Sequence, residues 1–132
     1  MPYEMGLLGH SDADALCHAL IDALLGAAKL GDIGRLFPDD DPQYEDISSL
    51  VLLKKAFEKL QENNYCVVNI DATIIAQNPK LAPFVPQMEQ NIAACLGINV
   101  SQVSIKAKTA EGMGFVGRKE GIEVYCVCLI QL

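Results

Sequence analysis

The eleven residues 65–75, Tyr-Cys-Val-Val-Asn-Ile-Asp-Ala-Thr-Ile-Ile, decide the fold class. Val67, Asn69, Asp71, Thr73 and Ile75 alternate with Cys66, Val68, Ile70, Ala72 and Ile74. That is the period-two pattern of a strand with one buried face, and the second, more apolar set is expected to face the core. A loop over 76–83 follows, then a helix from about Val85 to Leu96 closed by Gly97. A short strand over Val103 to Lys108 and a long apolar strand over Ile122 to Ile130 complete the downstream half. Between them, Thr109 to Gly121 holds Gly112, Gly114, Gly117 and Gly121, too many glycines for a regular element.

Upstream the period changes to that of helices. Leu16, Leu20, Leu24 and Ala27 recur at helical spacing and predict a core face, with Asp14, His18 and Asp22 on the opposite side. Ser11 is a suitable N-cap, Asp14 makes a box-like pair with it, and the end is expected near Leu30-Gly31. A second helix is expected from about Ile47 to Gln61, burying Leu50, Leu53, Phe57 and Leu60 and stopped by Asn63-Asn64. The order α-α-β-α-β-β predicts a single α/β or α+β domain.

Composition narrows the function. A chain of 132 residues fits one domain, and 51% hydrophobic residues are enough to fill a core. Only 20% of residues are charged, which predicts some apolar surface buried against another subunit. A net charge of -7 argues against general nucleic-acid binding, which needs a basic face. No apolar run reaches the ~18 residues of a membrane span, and no cationic, apolar signal segment opens the chain. The five cysteines include no C-x-x-C pair and lie in apolar contexts, so they read as small buried thiols in a reducing cytoplasm.

Four clusters carry candidate chemistry. His18 and Asp22, four apart on one helix face, with His10 nearby, have the residue types of a zinc-type site or an acid/base pair. A solvated helix face is the plain alternative, although the apolar turn over 23–28 leaves little of that helix to water. The loop from Gly31 to Asp41 carries Asp32, Asp39, Asp40 and Asp41. It is either a solvated turn or a cradle whose carboxylates accept hydrogen bonds from a polyol. Lys106-Ala107-Lys108-Thr109-Ala110-Glu111-Gly112 can serve phosphate through Lys and Thr and a divalent cation through Glu, although such trios are common on surfaces. Ala76-Gln77-Asn78-Pro79-Lys80-Leu81 is an ordinary connection or a backbone pocket for a flat base, with Lys80 toward phosphate.

Taken together, these blocks resemble the 2-C-methyl-D-erythritol 2,4-cyclodiphosphate synthase family of the non-mevalonate isoprenoid route. The segments that carry the resemblance are residues 6–14 (GLLGHSDAD), 18–27 (HALIDALLGA), 31–39 (GDIGRLFPD), 71–81 (DATIIAQNPKL) and 106–118 (KAKTAEGMGFVGR). The resemblance implies a mixed β-sheet packed on helices, an α+β, α/β-sandwich-like domain over 1–132. It implies a cytoplasmic homotrimer with active sites at subunit interfaces, and no membrane or nucleic-acid partner. The implied reaction is metal-assisted cyclisation of a cytidine diphosphate ester: the substrate's own 2-phosphate attacks the β-phosphorus and CMP leaves.

Residue roles follow from the resemblance. His18 is implied as a zinc ligand, and Glu111 as the ligand of a magnesium or manganese ion between the phosphates. His10 and Thr109 are implied to hold phosphate and stabilise the transition state, with Ser11 assisting and Lys108 and Ala110 alongside. Asp32, Ile33, Gly34 and the segment Phe37, Pro38, Asp39, Asp40 and Asp41 are implied for the erythritol. Ala76, Gln77, Asn78, Pro79, Lys80, Leu81 and Ala82 are implied for the cytosine. Asp22 would order the site by hydrogen bonding, and Phe115 and Arg118 would line the trimer axis. Family members often carry Thr at the position of Lys108. They also begin with a strand bearing an Asp-x-His pair ahead of the Pro2-Tyr3-Glu4 segment, and that pair supplies two further zinc ligands. No such pair occurs in these 132 residues. The chain as written is therefore expected to be N-terminally truncated, weak in zinc binding and poorly active. The competing readings are a non-catalytic trimeric module that binds cytidine nucleotides, and a structural trimer whose polar clusters are only solvated.

Overall fold

In the computed structural model, which describes residues 10–37, 48–76, 81–109 and 122–132 with side chains from residue 13 onward, helices pack on one face of a three-stranded sheet. In chain order the elements are α1 (His10–Ala27), α2 (Ile33–Leu36), α3 (Ser49–Glu62), β1 (Cys66–Ala76), α4 (Val85–Leu96), β2 (Val103–Lys108) and β3 (Ile122–Gln131). The sheet order is β2-β1-β3. β1 pairs parallel with β2, joined through α4, and antiparallel with β3. This mixed sheet covered by helices is the expected class, and the order of the long elements is as expected.

The core forms where α1 packs on β3 and α3, and α4 on β2 and α3. α1 buries Leu16, Leu20, Ile21, Leu24 and Leu25, and Ala28 just after it is buried too, while Ala27 is exposed. Its apolar face is thus rotated and wider than a single i, i+4 row, because two neighbouring elements cover it. Ser11 lies inside α1 and is not its N-cap. The Asp14 carboxylate accepts the Ser49 hydroxyl at 2.6 Å and so ties α1 to the first residue of α3. The helix ends before Gly31: Lys29 takes φ +58, and the Leu30 N–H bonds to the Leu25 carbonyl at 2.8 Å. These bonds satisfy carbonyls that a helix end otherwise leaves open. Asn64, at φ +67, ends α3 the same way, with the Tyr65 N–H on the Leu60 carbonyl at 3.0 Å.

α3 begins at Ser49, capped by Ser48, and buries Leu52, Leu53, Ala56, Phe57 and Leu60. Leu50 is only partly buried, and its carbonyl accepts the Cys95 thiol of α4 at 3.3 Å. α4 matches expectation residue for residue, with Pro86 in its first turn and Gly97 at φ +67 closing it.

From Ile70 to Ala76, β1 buries every second residue as its alternation predicts. Before Ile70 the phase reverses, with Val67 buried and Cys66 exposed. The cause is an extra residue, Val68, at a register shift between Val67 and Asn69. Such a bulge moves the flanking side chains to opposite faces. Gln102, in the turn before β2, donates its side-chain amide to the Val68 carbonyl at 2.9 Å. Among the described strands β2 lies at an edge, and the Glu89 carboxylate of α4 accepts the Ile105 N–H at 2.9 Å, which blunts that edge.

Candidate functional site

Two groups of candidate residues emerge, one at the carboxyl ends of the parallel strands and one where α1 meets α2. Because β1 and β2 run in the same direction, both end at one rim of the sheet. There a cavity of about 240 Å³ is lined by Ala76, Leu81, Ala82, Ala107, Lys108 and Thr109. Open sheets with parallel strands offer ligand crevices at this end. The structure thus brings the segment expected for a base (Ala76, Leu81, Ala82) against the segment expected for phosphate (Lys108, Thr109). Leu81 is buried and continues into a 3₁₀ turn over Ala82–Phe84, which holds the floor of the cavity against the core.

In the second group, Asp22 near the end of α1 accepts the Ile33 N–H at 2.7 Å. Asp32 caps α2 by accepting the Arg35 N–H at 2.8 Å. Gly31 precedes this turn at φ +106, a conformation that disfavours a side chain. Among the described residues of the acid-rich loop, Ile33–Leu36 form a helical turn, α2, which an Asp at the N-cap could have signalled. Asp32 and Gly34 are exposed at that turn. Phe37 instead packs into the core at 6% exposure, with its N–H on the Ile33 carbonyl at 2.8 Å. His18 lies exposed on α1, one turn before Asp22.

Among the described residues no three His, Cys, Asp or Glu gather around a point a metal ion could occupy. A single imidazole does not make a zinc site, so the described residues by themselves do not fit that ion. The side chains of His10 and Ser11 lie outside the described residues, as do Pro38, Asp39, Asp40, Asp41, Gln77, Asn78, Pro79, Lys80, Ala110, Glu111, Phe115 and Arg118.

Four of the thiols are held in the protonated form by burial. Burial pushes Cys17 up to about 11 and Cys126 up to about 12, and it also raises Cys95 and Cys128. All five are free, and Cys66 is exposed because of the bulge. On the sheet face away from the helices, Lys106 of β2 pairs with Asp71 of β1, and the Tyr125 hydroxyl donates to Glu123. That carboxylate raises the Tyr125 hydroxyl above its ordinary range.

The family model of the YgbB family matches residues 1–131. The chain is 59% identical over 130 residues to the 2-C-methyl-D-erythritol 2,4-cyclodiphosphate synthase of Clostridium novyi (strain NT), which covers 98% of this chain and 83% of that protein. It is 58% identical over 130 residues to the synthase of the same name from Caldicellulosiruptor bescii, with the same coverage of both chains. Among solved structures, the bifunctional IspDF of Campylobacter jejuni superposes with a TM-score of 0.84 at 44% identity, over 88% of this chain and 31% of that longer one. The CDP complex of IspF from Plasmodium falciparum superposes with a TM-score of 0.78 at 36% identity, over 93% of this chain and 74% of that one.

Proposed function

This chain belongs to the YgbB family of 2-C-methyl-D-erythritol 2,4-cyclodiphosphate synthases, and from that premise we propose that it is a phosphorus–oxygen lyase of isoprenoid biosynthesis by the non-mevalonate route. It converts 4-diphosphocytidyl-2-C-methyl-D-erythritol 2-phosphate to 2-C-methyl-D-erythritol 2,4-cyclodiphosphate and releases CMP. The observation that carries this reading is the cavity at the ends of β1 and β2, where Ala76, Leu81 and Ala82 meet Lys108 and Thr109. Its volume lies below the ~300–1,000 Å³ of pockets that enclose a drug-sized ligand. It suits the cytosine end of the substrate, with the diphosphate running out past the two polar residues. The CDP bound to the Plasmodium falciparum relative is the same chemistry.

The reaction forms a P–O bond from a 2-phosphate oxygen to the β-phosphorus as the P–O bond to CMP breaks. Such a displacement needs alignment of the attacking and leaving oxygens and neutralisation of phosphoryl charge more than covalent help. Thr109 donates its hydroxyl to a phosphoryl oxygen from the end of β2. His10, with Ser11, holds phosphate from the start of α1. Asp32, Ile33 and Gly34 offer the erythritol hydroxyls one carboxylate and a turn that Asp22 holds in place. We also assign Pro38, Asp39, Asp40 and Asp41 to the erythritol and Gln77, Asn78, Pro79 and Lys80 to the cytosine, on the family relationship. Ala110, Phe115 and Arg118 belong to the segment that follows Thr109. A divalent ion, if bound, would neutralise phosphate charge; on the family relationship we assign His18 as one ligand of zinc and Glu111 as the ligand of magnesium or manganese, while the alignment above rests on the chain's own donors.

The working unit is a homotrimer. β3 exposes Tyr125, Val127 and Leu129 at 56%, 69% and 56% in one stripe, an apolar strip suited to a second copy of the chain. Five free thiols fit a cytoplasmic setting. The net charge of -7 gives nucleic acid no basic face, and among the described residues no helix is long and apolar enough to cross a membrane.

The test is incubation with the diphosphocytidyl substrate, following CMP release and the cyclic product by phosphorus NMR. One CMP per cyclic diphosphate is expected, with Thr109→Val lowering turnover about 100-fold. Tight CMP binding without product would favour a binding module.

A further inference from the structure

α1 carries both histidines of the chain, His10 and His18, and Asp14 stands midway between them in sequence. Helix positions four apart follow one another along one face, so positions 10, 14 and 18 form one row. In the middle of that row the Asp14 carboxylate accepts the Ser49 hydroxyl of α3 at 2.6 Å. The start of α3 is itself fixed. Ser48 accepts the Val51 N–H at 3.4 Å, and the Leu50 carbonyl accepts the Cys95 thiol of α4 at 3.3 Å. Further along α1, Asp22 accepts the Ile33 N–H at 2.7 Å. The helix is thus pinned at two points about 12 Å apart along its axis, and His18 lies between them.

Burial of Leu16, Leu20 and Leu24 holds α1 against its neighbours, but apolar burial has no direction. A hydrogen bond to a carboxylate fixes both distance and direction. We propose that the Asp14–Ser49 bond is a positioning clamp, which sets the rotation and axial placement of the histidine-bearing row of α1 so that the start of the helix meets phosphate correctly. Asp14 and Ser49 are positioning residues: they act through His10 and His18 and not on the substrate. This rests on the phosphate role given above to the start of α1. Displacements of about 1 Å can cost ~100-fold in rate, so a partial loosening of the row is readable in turnover.

The test combines steady-state CMP release from the diphosphocytidyl substrate with imidazole NMR of the full chain, in which the only two imidazoles are the ones in question. Ser49→Ala is expected to lower kcat about tenfold with KM within about twofold, and to move both imidazole signals. Ser49→Thr, which keeps the hydroxyl, should restore both readouts. Cys95→Ala loosens the same end of α3 without touching Asp14; it should lower the thermal midpoint and leave kcat and the imidazole signals unchanged. Asp14→Asn keeps an oxygen acceptor and should give an intermediate loss, with no further loss when added to Ser49→Ala; it decides the matter if Ser49→Ala does not fold. If Ser49→Ala lowers only the thermal midpoint, or if Cys95→Ala reproduces its loss of kcat, the bond is merely structural and the clamp is wrong. If the unaltered chain forms no cyclic product, the functional reading falls, and the imidazole signals still decide the clamp: unmoved by Ser49→Ala, they overturn it as well.

Discussion

The Asp22 carboxylate and the Ile33 backbone N–H, eleven residues apart, meet at 2.7 Å and bind the end of α1 to the start of α2. His18 lies one turn before Asp22, and Asp32, which caps α2, lies one residue before Ile33. One hydrogen bond thus sets the position of a candidate polyol-binding turn relative to a candidate metal-facing helix face.

Replacing Asp22 by Ala should loosen that turn. Losing a net hydrogen bond costs about 1 kcal/mol, visible as a modest fall in thermal midpoint. The larger effect should fall on KM for the diphosphocytidyl substrate, because the turn is then no longer held in place. Asp22→Asn keeps a side-chain oxygen acceptor and should recover most of the KM. Steady-state CMP release measured alongside thermal unfolding separates the two effects.

Leu20 is fully buried between α1 and its neighbours. Leu20→Ala should cost about 2–5 kcal/mol, combining lost transfer energy with the cavity left behind. Urea titration should show a lower midpoint at an unchanged slope.

Alkaline pH should destabilise the fold. Burial holds Cys17 up to about 11 and Cys126 up to about 12, against an ordinary value of 9.0. Between these values the unfolded chain releases protons that the folded chain keeps. Stability from these groups is therefore complete below about pH 9 and is lost as pH rises toward 11 and 12. Replacing Cys17 and Cys126 together by Ala should flatten that decline in denaturation curves taken from pH 8 to pH 11. At pH 8 a thiol-alkylating reagent should modify exposed Cys66 first and Cys17 last.

Val127 stands at the centre of the exposed stripe on β3. Val127→Asp should leave the far-ultraviolet circular dichroism unchanged and shift the sedimenting mass from trimer to monomer. An unchanged trimer would move the interface off this face.

Elements with their determinants inside one short segment were legible in the sequence. α4 was, because Pro86 and Gly97 mark its ends, and the Ile70 to Ala76 stretch of β1 was, because its alternation is regular. The bulge at Val68 was not, since it depends on β3 and on the Gln102 amide arriving from another element. The face of α1 was misjudged for the same kind of reason: Ile21, Leu25 and Ala28 are buried by packing that periodicity does not contain. Asp14 has the spacing of a capping residue, and only the approach of α3 assigns its carboxylate to Ser49. At the cavity, residue types pointed to base and phosphate chemistry separately. Their meeting required the parallel pairing of β1 with β2.

The packing of α1 on β3 has a consequence for how the chain acquires its structure. The helix is His10–Ala27 and its strand partner is Ile122–Gln131, so α1 can pack on α3 early but cannot finish covering its apolar face until β3 has been synthesised. Among the described strands, β1 likewise has just its parallel neighbour until then. Contacts this distant in sequence slow folding, because loop-closure entropy must be overcome before they form. Folding should therefore be a late, concerted event in which β3 locks the first helix and the central strand in one step, leaving the partly made chain dependent on protection from aggregation.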